Sequence, residues 1–227
     1  MSREVLVADA TLDGVLDRLA EMDDPRIRAV NENHGDDHSV NLGKLRALAK
    51  ELKAQPDLAR ELWQTGDTNA RLLAILVARP KQFERDDLDR MLREAGKPKV
   101  HDWLLANIVK KSRHAEDLRV VWLEDPDPVV ASAGWALTAD RVAKKPAGLD
   151  LSGLLDVIEA EMKDAPERLQ WAMNQCLAQI GIENPGLCAR AIGIGERLGV
   201  LKDYPTPPNC TSPYAPVWIS EMVKRKA

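Results

Sequence analysis

The chain has 227 residues, 44% apolar and 30% charged, a balance that excludes disordered and collagen-like chains and suffices for a domain that buries its own core. Its net charge of −4 opposes a polyanionic partner over the surface as a whole, yet five cations (Lys97, Lys99, Lys110, Lys111, Arg113) against one acid (Asp102) make residues 97–113 a +4 stretch and leave −8 for the rest. The longest apolar run, Leu72–Ala78, is about a third of the ~20 residues of a membrane span, and no signal-peptide layout precedes it, so a cytoplasmic protein without a membrane partner is expected.

In chain order, a short helical section comes first, then the polar stretch from Asn31 to His38. His34, Asp36, Asp37 and His38 are read as a solvated turn and not as metal ligands, because no second ligand cluster accompanies them. Leu42, Leu45, Leu48, Ala49 and Leu52 recur at three- and four-residue spacing, the stripe of an amphipathic helix capped by Ser39 or Asn41. Pro56 opens another helix, which ends at Gly66. Asp67 or Thr68 starts a third, and its Leu72, Leu73, Ile75, Leu76 and Val77 make it apolar on most faces, hence buried. Pro80, Gly96 with Pro98, Pro126 with Pro128, Pro146, Pro166 and Pro185 punctuate the chain from there to residue 200. Five prolines between Tyr204 and Pro216 exclude helix there and predict a stiff extended strap, after which Trp218 and Ile219 anchor a last helix, 217–226, with the basic tail Lys224-Arg225-Lys226. No alternating β-branched run suggests a strand. The chain is therefore read as all-α, with about eleven helices in one domain, 1–227.

Short helices with tight turns pack against their sequence neighbours as stacked antiparallel pairs. The segment Asp125-Pro126-Asp127-Pro128-Val129-Val130, followed by Ala133, Ala136 and Leu137, resembles a HEAT repeat without the Arg that usually follows the Val. Comparable helices begin near Thr68, Val100 and Pro166, a spacing of about 28 to 38 residues against the ~40 of regular HEAT arrays. The expected fold is a right-handed α-solenoid of degenerate HEAT-like repeats, with an irregular helical bundle as the competing architecture.

Little in the sequence supports small-molecule chemistry. Gly193, Gly195 and Gly199 lie in a helical pattern and lack the strand context of a dinucleotide fold. No Ser/His/Asp or Cys/His constellation stands out, and Cys176, Cys188 and Cys210, without a C-x-x-C pair, are read as buried thiols. No cofactor and no metal are expected. Trp63, Trp122, Trp135 and Trp218 are assigned to the core, and Glu116 and Asp117 to the solvated surface.

The segments Val40–Leu52, Ala59–Trp63, Ala70–Ala74, His101–Asn107 and Gln170–Met173, with the Asp-Pro helix around residue 130, resemble in order and spacing the bacterial DNA alkylation repair proteins of the AlkD type, over roughly residues 38 to 200. The Pro-rich strap and Trp218 resemble a branch of that family. The resemblance implies a HEAT-like-repeat alkylpurine DNA glycosylase without a metal. Such a protein holds duplex DNA in a concave basic groove, with Trp side chains along the backbone and a carboxylate facing the lesion's sugar, where positive charge develops on cleavage.

Matched residue by residue, Trp103 takes the place of the Trp in the family's Trp-x-x-x-Asp, and Asn107 stands where the Asp belongs. A register anchored on Ile108 and Val109 puts Ala106 there instead. The family's DNA-contacting Arg falls on Ala131 or Ser132, and Trp171 matches the later Trp. Asp102, one residue before Trp103, points about 100° away on a helix and is a weak substitute carboxylate. Loss of a charged stabiliser costs about 2–4 kcal/mol of barrier, so the catalytic residue is left unassigned and glycosylase activity is expected to be weak. The expected function is binding of duplex or damaged DNA by a monomer through Lys97, Lys99, Lys110, Lys111, Arg113, Trp103, Asn107 and Trp171. The alternative is a non-catalytic helical-repeat adaptor that binds a protein.

Overall fold

Thirteen α-helices and no strand account for the regular structure of residues 10–226, the residues that a computed structural model of the chain describes. Sequence periodicity leads one to expect about eleven. The shortfall is illustrated by Pro25–Glu32, eight residues with none buried, which carries no apolar stripe to betray it. The chain divides into two compact units, Met1–Ala115 and Glu116–Ala227.

In the first unit the helices are α1 (Leu12–Glu21), α2 (Pro25–Glu32), α3 (Leu42–Leu52), α4 (Pro56–Gln64), α5 (Thr68–Val77), α6 (Arg85–Glu94) and α7 (Pro98–Asn107). α5 packs between α3 and α7, while α1 and α4 lie against α5 and α6 lies against α7. The centrality of α5 follows from its sequence: Leu72, Leu73, Ala74, Ile75 and Val77 are all buried, and Asp67 caps the first turn by accepting the Ala70 N–H at 2.8 Å. Proline opens α2, α4 and α7 at a position where a backbone donor has no partner to lose.

The segment Asn31–His38 is not the solvated turn its composition suggests. Asp36 is 7% exposed and accepts the backbone N–H of Lys99, in the first turn of α7, at 2.9 Å. Asp37 accepts the Thr68 hydroxyl at 2.5 Å and pairs with Lys97 at 3.1 Å. His38 is 3% exposed, and the Asn31 amide donates to its carbonyl at 2.8 Å. Beyond it, the N–H groups of Ser39 and Val40 both donate to Asn69 Oδ1, at 3.1 and 3.0 Å. The loop is a clasp that ties α2 and α3 to the N-termini of α5 and α7. Its partners lie some 30 to 60 residues away in sequence.

The second unit holds α8 (Ala115–Leu123), α9 (Pro128–Lys144), α10 (Leu151–Glu161), α11 (Glu167–Glu183), α12 (Pro185–Leu198) and α13 (Ala215–Lys226). α11 is the hub and packs against α9, α10, α12 and α13. Two glycines permit close approaches between other helices of this unit. A Cβ on Gly134 of α9 would lie 2.4 Å from the Leu123 nitrogen at the end of α8, and one on Gly195 of α12 would lie 2.7 Å from Pro216 Cδ in α13. The starts of α5, α7, α9 and α11 reproduce the four repeat-like helices of the sequence.

Trp63, Trp122 and Trp135 are buried as expected, and Trp218 is half-buried against the second unit's core. Of the cysteines only Cys176 is buried, and burial pushes its thiol up to about 12. Cys188 is half-buried and Cys210 exposed, because the strap that carries Cys210 runs in solvent from Lys202 to Cys210. The strap's C-terminal part is docked by the Asn174 amide donating to the Pro213 carbonyl at 2.9 Å. The last helix begins at Ala215, two residues earlier than expected, with Pro216 in its first turn. No helix among the described residues is long and apolar enough to cross a membrane.

Candidate nucleic-acid interface

On α7, Val100, His101, Leu104 and Leu105 face the core. Trp103 and Asn107, four residues apart, share a half-buried face. The Trp103 ring is roofed by the Arg46 guanidinium, 4.8 Å from its centroid. Arg46 sits on the exposed face of α3, 57 residues upstream, and no local pattern marks it as a partner of Trp103. The Asn107 amide turns back on its own helix, Nδ2 donating to the Trp103 carbonyl at 3.0 Å. Asn107 also ends α7, where unpaired carbonyls concentrate partial negative charge.

The basic stretch is less open than its composition suggests. Lys97 is engaged by Asp37, and Arg113 places one Nη 2.6 and 2.7 Å from the two carboxylate oxygens of Glu84. The Arg113 hydrogen bond and charge hold the Glu84 carboxyl below the usual range. Lys99 is half-buried and its backbone N–H belongs to the Asp36 clasp. Lys110 and Lys111 lie in a 3-10 turn after α7, Lys111 fully on the surface. Asp102 is exposed and its carboxylate lies 3.5 Å from His101 Nδ1.

In the second unit, Trp171, half-buried in the second turn of α11, makes a T-shaped contact with Tyr204 from the strap, centroids 5.0 Å apart at 87°. Ala131 and Ser132, where the resemblance places a DNA-contacting Arg, are 6% and 2% exposed, and the Ser132 hydroxyl donates to the Val129 carbonyl at 2.6 Å. Neither position presents a side chain to a partner. Glu116 is exposed, as expected of a helix-surface charge, but it is also ion-paired. It accepts two bonds from the buried Arg119, at 3.0 and 2.8 Å, and lies 3.4 Å from Arg141. The Arg119 hydrogen bond is the main force holding the Glu116 carboxyl below its ordinary value. Among the described residues no three or more His, Cys, Asp or Glu gather as metal ligands do.

Thirteen helices without a strand among the described residues are the architecture of a HEAT-like-repeat fold. A solved structure described as belonging to "a new family of proteins related to the HEAT-like repeat DNA glycosylases with affinity for branched DNA structures" superposes with a TM-score of 0.77 at 23% identity, covering 96% of this chain and 95% of that one. The model of the family described as DNA alkylation repair enzyme matches residues 15–219, and the chain belongs to that family. No curated protein matches it.

Proposed function

We propose that the protein is a cytoplasmic, monomeric DNA-binding member of its family with little or no base-excision activity. It binds duplex, damaged or branched DNA through Trp103, Arg46, Asn107, Lys99, Lys110 and Lys111 of the first unit and Trp171 of the second. Lys97 and Arg113, committed to Asp37 and Glu84, contribute field more than contacts. The observation that carries this reading is the stack of Arg46 on Trp103, one turn from Asn107. A guanidinium held over an indole, with one Nη donating to the Leu42 carbonyl at 3.5 Å, has already lost much of its rotamer freedom, so its remaining N–H donors bind a phosphate at a smaller entropic cost.

Asn107 offers an amide where glycosidic cleavage calls for a negative charge, and its donor is already spent on the Trp103 carbonyl. Branched DNA enters the proposal because the structurally similar protein is described as having affinity for it. Fluorescence anisotropy with a labelled duplex and a four-way junction, at a series of salt concentrations, tests the reading together with base release from alkylated duplex DNA. Affinity that falls steeply with salt, and no base release, are expected. Absence of DNA binding at low salt overturns the reading in favour of a protein-binding adaptor.

A further inference from the structure

Between α4 and α6, helices that carry none of the residues placed in the DNA interface, lies a cleft of about 400 Å³. Its inner wall is apolar, made by Ala59, Trp63, Phe83 and Met91, and its rim carries Arg60, Arg71 and Arg90 against Asp87 and Glu94, a lining of net charge +1.

The inner part is rigid. Trp63 donates its indole N–H to Glu94 at 2.9 Å. Arg71 lies over the same ring, 5.0 Å from its centroid, and donates to the terminal carbonyls of both helices, Trp63 at 3.3 Å and Glu94 at 2.6 Å. One guanidinium therefore joins the C-termini of α4 and α6 and sets the spacing of the cleft. The mouth is exchangeable by contrast. Arg60 and Arg90 are held by carboxylates one turn away on their own helices, Arg60 by Asp57 and Arg90 by Asp87, each at 2.7 Å, with Glu94 a further 3.9 Å partner of Arg90; the Asp57 side chain is 92% exposed. Exposed pairs at this spacing contribute only about 0.3–0.5 kcal/mol, so a better-placed anion displaces them readily. Burial raises the Asp87 carboxyl, but the Arg90 hydrogen bond, the Glu84 N–H and the charges of Arg90 and Arg60 outweigh it and leave it below the ordinary range. Arg60 from α4 and Arg90 from α6 both line this mouth.

We infer that this cleft is a binding site for a small molecule in which a flat aromatic body carries one phosphate or carboxylate. The ring lies against Trp63, Phe83 and Met91, and the anion bridges Arg60 and Arg90. The volume is that of a small-ligand pocket, and the guanidinium forks of Arg60 and Arg90, both in its lining, suit a planar or tetrahedral oxyanion better than a point charge. The inference is independent of the DNA reading.

Calorimetric titration of the full chain with AMP, indole-3-acetate, adenosine and inorganic phosphate tests it. AMP or indole-3-acetate binds with a Kd below about 1 mM and about 10-fold or more tighter than adenosine or phosphate alone. The two arms separate a phosphate-bearing from a carboxylate-bearing ligand. Arg60→Ala with Arg90→Ala reduces that binding to the adenosine level. Gln64→Glu, at an exposed rim position whose change does not threaten folding, weakens it several-fold, whereas Lys202→Ala, at an exposed position of the second unit, leaves it unchanged. Failure of both ring-bearing anions to bind, or binding that survives both the double variant and Gln64→Glu, overturns the inference.

Discussion

Replacing Asn107 with Asp changes one atom's chemistry at the end of α7. The substitution removes the donor of the 3.0 Å bond to the Trp103 carbonyl and sets a carboxylate oxygen against that carbonyl. Loss of a half-exposed hydrogen bond costs about 0.5–1.5 kcal/mol, and a negative charge in the last turn of a helix costs about 0.3–1 kcal/mol more. A destabilisation of roughly 1–2 kcal/mol is expected, which for a chain of this length lowers the Tm by about 2–8 °C. Because the folded site disfavours the charged form, the introduced carboxyl has a raised pKa in the native state. The penalty is therefore full at neutral pH and fades as the pH falls through that pKa and the protonated acid regains a donor. Repelled from the helix, the carboxylate swings outward and raises base release from alkylated DNA by up to the factor of ~30–1000 that 2–4 kcal/mol of barrier represents. Melting curves at pH 7 and pH 4, together with a base-release assay on N7-methylguanine duplexes, check both halves. An Asn107→Asp variant that melts with the wild type at both pH values refutes the role given to the amide. Robust release by the wild type, unchanged by the substitution, places the chemistry elsewhere.

Three further outcomes are expected from the same structure. Lys110→Ala with Lys111→Ala should shallow the salt dependence of DNA binding by about 2 units of slope, while Arg46→Lys keeps the slope but weakens binding about 2- to 5-fold through loss of the stack on Trp103; an unchanged slope in the double Lys variant would remove the turn after α7 from the interface. Burial lowers His38 despite the opposing charges of Asp36 and Asp37, with Lys99 acting in the same direction as burial, and Asp37 lies below its usual value because Thr68, Lys97 and Arg28 outweigh its burial. Both groups have depressed native pKa values, so they contribute stability that is present above their unfolded values and lost on acidification, below about pH 6.5 for His38 and below about pH 4 for Asp37. Chemical denaturation from pH 8 to pH 3 should show both declines, and Asp37→Asn should lessen the lower one, to which Glu84, Asp87 and Glu116 also contribute. Gly134→Ala, although favourable for helix propensity by about 1 kcal/mol, drives a Cβ into the Leu123 backbone and should cost a net 1–3 kcal/mol by thermal unfolding, roughly the penalty of an overpacked core.

Local rules carry the helical architecture. Proline at helix starts, Asp and Asn caps and three-to-four spacing of Leu and Ala are short-range effects, so α3, α5, α9 and α11 are legible in the sequence without knowledge of any partner. The same holds for the strap, since Pro205, Pro207 and Pro208 forbid helix wherever they are placed. The clasp and the interface are not legible in this way. Asp36 and Asp37 read as loop charges because the groups they bind, on α5 and α7, are brought to them only by folding. Five cations between residues 97 and 113 read as an open basic face, yet Asp37 and Glu84 neutralise two of them from other elements. Arg46 has no sequence signal at all, because its role depends on α3 and α7 flanking α5 so that a guanidinium reaches an indole 57 residues away. Residue type and spacing determine which segments coil and which face turns inward. Which charges meet, and therefore which remain for a ligand, is decided by long-range contacts that only the tertiary structure makes.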